Sequence, residues 1–499
     1  MRDRQDRRCG ISADPAPGGP ALPAREDLDF ALAMRAAHSL SEEIVLERLI
    51  RTLIRNMIVY AGARRGLLPL ARHERLSIEA TARVVGAARC RAWHHPASRE
   101  AWRTTPRVAT RLATHTAFRT RESRTMKIVI AGGSIAGLAA ALTLDCIGHD
   151  VTVYERSRTP LRGQGGGVAV LRRMMAFLER HGRHCRQMIS VPTHRRRWID
   201  RDGIVTRDEP EMLPFSSWDA VYRSLCETLP RGHIRYGRTV TGFDQDADGV
   251  DVHVDNERIR ADVLIAADGS GSNLRARIFP GYTPSFAGYL AWRGIVDEAE
   301  FDTAAIASLV ENMTLHKAPG ELFMAFLIPA LDGSLAPGAR RFNWLWYRNE
   351  ADPDALRRHL TDRNGHVHHA SVHPGQLADD TVATLRQLAG ERLPATLSQL
   401  VLATRAPFNQ AIFDALSPGF VDGRVALIGD AACTVRPHTA SGTSKAASDA
   451  VSLAEALPVD ATDVVARLEQ WSARRREEVT SLLDKGPQLA AAFGLGTPR

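Results

Sequence analysis

The chain has 499 residues, a formal net charge of +8 at pH 7 and a mean hydropathy of −0.21. Its six cysteines are scattered and form no CxxC pair, which argues against a disulfide framework or a zinc site. Because no apolar run reaches the roughly 18 residues that span a bilayer, and Met1–Pro20 lacks the apolar core of a signal peptide, we predict a cytoplasmic protein with no membrane partner.

The positive charge is confined to the first quarter of the chain. Residues 1–125 hold 23 Arg, no Lys and 13 acidic residues, which leaves 42 basic and 44 acidic residues for the rest. A near-neutral segment of that size needs no polyanionic ligand, so we expect no nucleic-acid partner. The basic run Arg89–Arg124 could contact nucleic acid or anionic lipid, but a solvated tail is the favoured interpretation.

Residues 1–125 are predicted to be a leader that precedes the main folded part. Residues 1–24 are rich in Arg, Pro and Gly, a composition typical of disorder. A helical pattern begins near Ser39, and short strands are predicted within Ala61–Leu70 and Leu76–Ala80. Residues 28–82 resemble the opening of a GAF domain but cover only part of that fold. We interpret the leader as a GAF remnant, with a functional sensory module as the alternative.

A glycine-rich loop between a strand and a helix begins the main part of the chain. Lys127–Ala131 is an apolar, β-branched run typical of a central parallel strand, and the loop Gly132–Gly137 and a helix follow it. The next predicted strand, Asp150–Glu155, ends in a carboxylate. This is the pattern of a dinucleotide-binding βαβ unit, with pyrophosphate at the helix N-terminus and Glu155 on the ribose. A serine replaces the second glycine of the usual loop, and its hydroxyl can donate to phosphate.

Two later strand ends extend this pattern. One predicted strand, which starts at Arg260, ends in Asp268-Gly269 before a helix that carries Arg275. Another, which starts at Gly423, ends in Gly429-Asp430, and a loop of small residues and a helix follow. One acidic strand end is unremarkable in a parallel sheet, but three such segments in this order are specific.

Together these segments resemble the class A FAD-dependent monooxygenases, which have the p-hydroxybenzoate hydroxylase fold. The resemblance runs from about Met126 to Phe493 and includes the motifs YERS at 154–157, AGYLAWRG at 287–294 and LIGDAACTVRPHTASGTSKAASDA at 427–450. It implies an α/β fold in which a Rossmann-like FAD-binding domain carries an inserted antiparallel-sheet substrate domain and C-terminal helices. Many family members have His where this chain has Cys433, which we interpret as a packing residue.

The resemblance also implies a division into domains. The FAD-binding domain is predicted to comprise residues 126–193, 216–288 and 405–455, and the substrate domain residues 194–215 and 289–404. Residues 456–499 are predicted to form a helical tail. The strands Ala291–Gly294, Leu322–Pro329 and Phe342–Tyr347 are expected to wall an aromatic pocket, although ordinary sheet core is the alternative for each side chain.

The residues that the resemblance assigns to FAD lie in the three segments and in two neighbouring loops. The isoalloxazine is expected beside residues 437–442, where the N-terminus of the next helix favours the negative charge of reduced flavin. The implied FAD-contacting residues are Gly132, Ser134, Ile135, Ala136, Gly137, Glu155, Arg156, Arg162, Arg223, Asp268, Gly269, Arg275, Gly429, Asp430, Pro437, Ala440, Ser441 and Gly442.

The implied reaction is the hydroxylation of a small hydroxylated aromatic or N-heteroaromatic ring. In this family, NADH or NADPH reduces FAD, O₂ is captured as a flavin hydroperoxide, and one oxygen atom is transferred to the ring. The implied catalytic residues are Pro437, His438, His373 and Tyr222. His368 and His369 are further candidate bases, and a structural role is the alternative for each candidate base.

Other functions stay open at this point. The same fold could carry out an epoxidation or an oxidative decarboxylation. A flavin-bound sensory or interaction protein would instead depend on residues 28–82. A homodimer is compatible with the sequence, and no metal is expected.

Overall fold

The computed structural model describes residues 125–182 and 189–496 and, before them, the backbone of two strands. The chain divides into two units, residues 1–115 and 116–499. In the first unit, β1 (Arg65–Arg72) and β2 (Arg75–Arg83) pair antiparallel, which confirms the two predicted strands. The predicted disorder, the predicted helix near Ser39 and the rest of the GAF-like stretch lie outside the described residues.

A six-stranded sheet is the scaffold of the second unit. Its order in space is β20-β21-β13-β3-β4-β9, and all neighbours are parallel except β20 and β21. Its inner strands are apolar and largely buried, as expected for a parallel sheet covered on both faces. The strands are β3 (Lys127–Ala131), β4 (Asp150–Glu155), β9 (Ile234–Tyr236), β13 (Val263–Ala266), β20 (Val421–Asp422) and β21 (Val425–Leu427).

Two alanine-rich helices, α1 (Ile135–Cys146) and α9 (Gly442–Ala456), pack against each other. Their small buried side chains, such as Ala140 and Ala450, let the two backbones approach closely. Each helix begins at one of the loops singled out from the sequence. The packing therefore brings two loops that are about 300 residues apart in the chain to one side of the parallel sheet. The long helix α10 (Val464–Ala492) packs on α9.

A nine-stranded sheet is the second large sheet of this unit. Its order is β18-β19-β14-β17-β16-β15-β6-β7, and β22 pairs with β19. The predicted antiparallel arrangement is confirmed, except that β15 and β6 run parallel. The strands are β6 (Arg195–Ile199), β7 (Val205–Pro210), β14 (Ser285–Asp297), β15 (Asn312–Ala318), β16 (Glu321–Ile328), β17 (Arg341–Asn349), β18 (Ser371–Val372), β19 (Phe408–Leu416) and β22 (Cys433–Thr434).

Strand β17 shows how this sheet positions a site. Alternate side chains point to opposite faces of a strand. Phe342, Trp344 and Trp346 pack in one buried cluster with side chains of α7 (Asp379–Arg392) and α8 (Ala395–Ala403). Leu345 and Tyr347 pack in a second cluster with Tyr289 of β14 and Phe326 of β16.

The remaining elements connect the two large sheets. One strand was predicted from Arg260 onward, but the chain forms two: it leaves a three-stranded sheet and enters the parallel sheet at Asp262. The Asp262 carboxylate accepts a hydrogen bond from Lys127 N at 2.7 Å. The small sheets contain β5 (Gly167–Ala169) with β8 (Phe215–Ser217), and β10 (Val240–Gln245), β11 (Val250–Val254) and β12 (Glu257–Ala261). The other helices are α2 (Arg172–His181), α3 (Trp218–Cys226), α4 (Asn273–Ile278), α5 (Thr303–Ile306) and α6 (Pro353–His359).

The division into domains stays a prediction. The predicted domain boundary is least clear at strand β19. Its residues fall within the predicted FAD-binding segment 405–455, yet they pair inside the nine-stranded sheet. Among the residues that the structure describes, no helix is long and apolar enough to cross a membrane.

Candidate active site

The loop between β3 and α1 is shaped so that only glycine fits at two of its positions. Gly132 has a φ of +103°, and a Cβ there would lie 2.4 Å from the carbonyl oxygen of Ala267. A Cβ on Gly137 would lie 1.9 Å from the carbonyl oxygen of Gly132. The side chain of Ser134 at the helix N-cap makes no capping hydrogen bond, so the first turn of α1 offers its N–H groups to an anion. Ile135 and Ala136 lie in this first turn.

Glu155 closes the same loop from the end of β4. It is buried, and its two carboxylate oxygens accept hydrogen bonds from Gly133 N and Ser157 N, each at 2.8 Å. A carboxylate has about four acceptor positions, so it can still accept a ribose hydroxyl. Arg156 follows it with an exposed side chain.

The ends of β13 and β21 meet at the same edge of the sheet, and Arg275 joins them. Its guanidinium donates to Ala431 O at 3.0 Å and to Ser270 O at 2.5 Å, so it links the segments that contain Asp268-Gly269 and Gly429-Asp430. Burial raises the pKa of Asp268, whose Oδ1 is buried without a hydrogen-bond partner among the described residues.

Asp430 has the properties of a residue that lines a deep cleft. Its side chain is exposed to solvent, but the surrounding protein partly desolvates the carboxyl group and raises its pKa. Together with the Asp268 carboxylate, it faces the edge of the sheet where the glycine-rich loop lies.

Three buried charged residues that sequence reasoning missed hold the loop at Gly429. Asp449 Oδ2 accepts from Gly429 N at 2.9 Å, and Lys445 Nζ donates to Gly429 O at 2.7 Å. Asp449 also pairs with Lys445 at 3.0 Å and with Arg475 at 2.7 Å. Burial alone would raise the pKa of Asp449, but the two cations hold it below its ordinary value. The i,i+4 spacing of Lys445 and Asp449 within α9 was the available signal.

A second glycine-rich loop, residues 160–167, lies against the second face of the nine-stranded sheet. Gly163 N donates to Asp219 Oδ1 at 2.6 Å, and the other oxygen of Asp219 pairs with Arg223 at 2.9 Å. Arg162 is exposed and pairs with Glu227 at 3.4 Å. The structure therefore brings Arg162 and Arg223 to this loop, while their contact with FAD stays a prediction.

The aromatic residues Tyr289 and Tyr347 and the imidazole of His438 form one wall. The Tyr289 hydroxyl and His438 Nε2 are 3.0 Å apart, and the ring centres of Tyr347 and His438 are 4.4 Å apart. Burial lowers the pKa of His438 to about 3, with a smaller effect from Arg436, so the imidazole is neutral. Its Nδ1 is buried without a partner among the described residues. A base of this pKa does not retain a proton near pH 7.

The loop that carries His438 turns sharply before α9. Residues Pro437–Thr439 form a single 3₁₀ turn, and Ala440 has a φ of +52°. Ser441 and Gly442 then begin α9, whose N-terminal N–H groups point toward this turn.

Arg293 and Asn343 add polar groups to the aromatic wall. Both hold Gly167 of the second glycine-rich loop: Asn343 Oδ1 accepts from Gly167 N at 2.6 Å, and Arg293 Nη2 donates to Gly167 O at 3.2 Å. Sequence reasoning did not single out Arg293, although an arginine inside the apolar strand AGYLAWRG was a visible signal.

The other predicted catalytic residues lie elsewhere. Tyr222 is fully buried; its hydroxyl accepts from Leu161 N at 3.1 Å, its ring stacks on Trp218, and burial raises its pKa. His373 is exposed, but partial desolvation by the surrounding protein lowers the pKa of its imidazole, with smaller effects from His368 and Arg156.

The two further candidate bases make contacts within their own region of the fold. His368 Nε2 lies 2.9 Å from the Asp362 carboxylate, and His369 stacks on Phe413. The structure brings none of His368, His369 and His373 into contact with His438, so their catalytic roles stay predictions.

These residues fit FAD. The glycine loop and the first turn of α1 suit a pyrophosphate, Glu155 suits a ribose, and the unpartnered Asp268 Oδ1 suits a hydroxyl donor. The turn at residues 437–442 leaves a helix N-terminus facing the aromatic wall. When bound, FAD supplies the electron transfer and the activation of O₂, while the chain supplies position, exclusion of water and electrostatics. The fold and the site therefore define an FAD-binding oxidoreductase.

Comparison with known proteins agrees with this class. Residues 286–414 match the FAD binding domain-like family. The chain is 33% identical over 374 residues to 2,6-dihydroxypyridine 3-monooxygenase of Paenarthrobacter nicotinovorans, covering 74% of this chain and 92% of that protein. It is 28% identical over 381 residues to an FAD-dependent urate hydroxylase of Klebsiella pneumoniae, covering 72% and 88%.

The solved structures agree as well. The structure of 2,6-dihydroxypyridine-3-hydroxylase from Arthrobacter nicotinovorans superposes with a TM-score of 0.69 at 32% identity, over 75% of this chain and 98% of that chain. The chain belongs to the class A FAD-dependent monooxygenases. It is an FAD-dependent aromatic hydroxylase, and NAD(P)H is the usual reductant of these enzymes.

Proposed function

We propose that this chain hydroxylates a small N-heteroaromatic ring that carries hydroxyl groups, of the dihydroxypyridine kind, with NADH or NADPH as the reductant and O₂ as the oxygen source. The observation that carries the proposal is the 33% identity to a dihydroxypyridine monooxygenase, which extends over 92% of that protein. The aromatic wall of Tyr289, Tyr347 and His438, with polar groups from Arg293 and Asn343, supports a flat and polar ring.

The roles of the site residues form part of the proposal. The loop Gly132–Gly137 holds the pyrophosphate, and Glu155 accepts from the ribose. Asp268 and Asp430 bind the middle of FAD. Residues 437–442 lie beside the isoalloxazine, where the N-terminus of α9 stabilises negative charge. A homodimer stays a prediction.

The test uses the full chain, purified with FAD, and two ring compounds of nearly equal shape. 2,6-Dihydroxypyridine has a ring nitrogen, and resorcinol is the matched control that has a C–H in its place. Consumption of NADH and of NADPH is followed with each ring, together with product mass. We expect the pyridine to accelerate consumption and to gain one oxygen atom, and resorcinol to do so less.

Three results would contradict the proposal. If resorcinol is hydroxylated as fast as the pyridine, the preference for an N-heteroaromatic ring is wrong. If consumption is accelerated but the product has lost CO₂ or gained an epoxide, the reaction type is wrong. If neither ring accelerates consumption with either nicotinamide, the proposed substrate class is wrong.

A further inference from the structure

We propose that Arg293 binds an oxyanion of the substrate ring, so that the pocket takes the ring in its ionised form. The identity of the ring rests on the proposed function, whereas the negative charge of the ligand rests on the surroundings of Arg293 alone.

The charge of Arg293 has no counter-charge among the residues that the structure describes. Its guanidinium contacts Gly167 O at 3.2 Å and Gln410 Oε1 at 3.4 Å, and it lies 5.6 Å from the ring centre of Phe408. Its Nε is buried without a partner. No carboxylate of the described residues comes within ion-pair distance of it. Every recorded contact of this cation is therefore with a neutral group.

Arg293 is half-buried, and the buried arginines of the described chain show what it lacks. Arg340 pairs with Glu298 at 2.7 Å, and Arg475 pairs with Asp449 at 2.7 Å. Even Arg275, whose hydrogen bonds go to carbonyls, is attracted by nearby carboxylates. A buried cation without an anion costs stability, and proteins normally pair such a charge or use it to bind a ligand. An anionic ligand would supply the missing charge at Arg293.

Asn343 provides a second donor next to Arg293. It is fully buried, its Oδ1 accepts from Gly167 N, and its Nδ2 has no partner among the described residues. The two side chains come from neighbouring strands, β14 and β17, and both hold the same residue, Gly167. An oxyanion that accepts from both would satisfy the buried Asn343 amide and the half-buried Arg293 cation at once.

The position of Arg293 favours the ring over FAD as the source of the anion. Negative charges of FAD already have two helix N-termini available, at α1 and at α9. Arg293 instead lies on the sheet face that carries Tyr289 and Tyr347, where an aromatic ring would pack.

Ionisation of the ring has a chemical purpose. The ring hydroxyl releases its proton to solvent, and the electron pair stays on the oxygen. The resulting anion is richer in electrons at the carbon atoms next to the C–O bond, which is where an electrophilic oxygen atom attaches. This would explain why the neutral His438 is not needed as a base.

The groups around Arg293 do not titrate near pH 7. Tyr347, on the neighbouring strand, has its pKa raised to about 12 by burial, and His438 behind it has its pKa lowered to about 3. Gln410 and Phe408 on the other neighbouring strand are neutral, as are residues 163–167 of the loop, and the exposed Arg162 of that loop pairs with Glu227. A change in ring binding between pH 6 and pH 9 would therefore report the ring itself.

The first experiment measures charge preference without any turnover. Benzoate is ionised throughout pH 6–9, and benzamide is its neutral counterpart of the same shape. Binding of each to the FAD-loaded full chain is followed by the flavin absorbance spectrum. We expect benzoate to bind at least roughly tenfold more tightly than benzamide, and Arg293→Gln to abolish this preference while Arg293→Lys retains part of it. Arg405→Gln, an exposed site with the same charge change, should behave like the unaltered chain.

The second experiment counts protons. 2,6-Dihydroxypyridine is added without oxygen or NAD(P)H in a weakly buffered solution that contains a pH indicator. Below the ring's own pKa, we expect release of up to one proton per bound ring, and much less from Arg293→Gln. A merely structural loss would weaken binding without changing this proton count.

The outcomes separate this inference from the proposed function. If the chain prefers benzoate through Arg293 but does not hydroxylate the pyridine, the anion site stands and the proposed ring is wrong. If the pyridine is hydroxylated but benzoate and benzamide bind equally, the inference is overturned. It is also overturned if Arg293→Gln releases as many protons as the unaltered chain.

Discussion

Removing the negative charge of Asp449 should cost more stability than any other single charge change in the second unit. Its carboxylate makes three contacts of 2.7–3.0 Å, to Arg475, Gly429 N and Lys445, and all three charged residues are at most 2% exposed. Asp449→Asn would leave the buried Lys445 ammonium without its ion-pair partner. Arg475 would keep one partner, the partly exposed Glu478. Breaking a buried ion pair typically costs about 3–5 kcal/mol.

That cost is large compared with the roughly 5–15 kcal/mol that stabilises a folded domain. Lys445→Met should cost less, about 1–3 kcal/mol, because Asp449 then keeps Arg475. Both variants should also bind FAD more weakly, since Gly429 is held by Lys445 and Asp449. Urea unfolding followed by tryptophan fluorescence, with and without FAD, measures the free energy, and FAD titration measures the affinity.

Asp484→Asn on the same long helix is the matched control, because this carboxylate is exposed and its loss should change stability by less than about 0.5 kcal/mol. The reasoning would be refuted if Asp449→Asn unfolded within about 1 kcal/mol of the unaltered chain. It would also be refuted if Lys445→Met cost more than Asp449→Asn.

Three further results are expected. Gly137→Ala should weaken FAD binding in a titration at least roughly tenfold, because the new Cβ would lie 1.9 Å from a carbonyl oxygen. Gly390→Ala is the control: a Cβ there has no atom within 4 Å, so FAD binding should not change. In the folded chain His438 stays neutral down to about pH 3. In the unfolded chain its imidazole has the ordinary histidine pKa of about 6.5, so between these pH values the unfolded chain binds one more proton than the folded chain. The free energy of unfolding should therefore decrease as the pH is lowered from about 6.5 to about 3. His438→Gln should reduce this slope by up to about 1.4 kcal/mol per pH unit, as measured by urea unfolding at each pH. Iodoacetamide at pH 8 should label exposed Cys146 and spare Cys433, which is fully buried and has its pKa raised by burial to about 11; peptide mass mapping measures both.

Local sequence patterns predicted the framework of the site well. Lys127–Ala131 and Asp150–Glu155 are strands with the predicted bounds, and the helix expected after the loop of small residues begins at Gly442. These elements were readable because β-branched apolar runs and glycine loops act over a few residues. The family assignment followed from the order of such segments.

Roles that depend on distant partners could not be read in the same way. Tyr222 was a candidate base, but its hydroxyl accepts a hydrogen bond from a backbone N–H 61 positions away. Arg275 was assigned to FAD, and the structure shows that it also joins two loops, through a bond to a residue 156 positions away. No pattern in either neighbourhood indicates those partners.

The sequence by itself determined the dinucleotide-binding unit, because a strand, a glycine loop, a helix and an acidic strand end occur in a fixed local order, and its resemblance to a known family indicated the class of enzyme. Tertiary structure alone decided which charges are compensated. Asp449 meets Arg475 from another helix, while Arg293 meets only neutral groups from a loop and two neighbouring strands. Burial and pairing are properties of the space around a side chain, and packing brings residues into that space from distant parts of the chain.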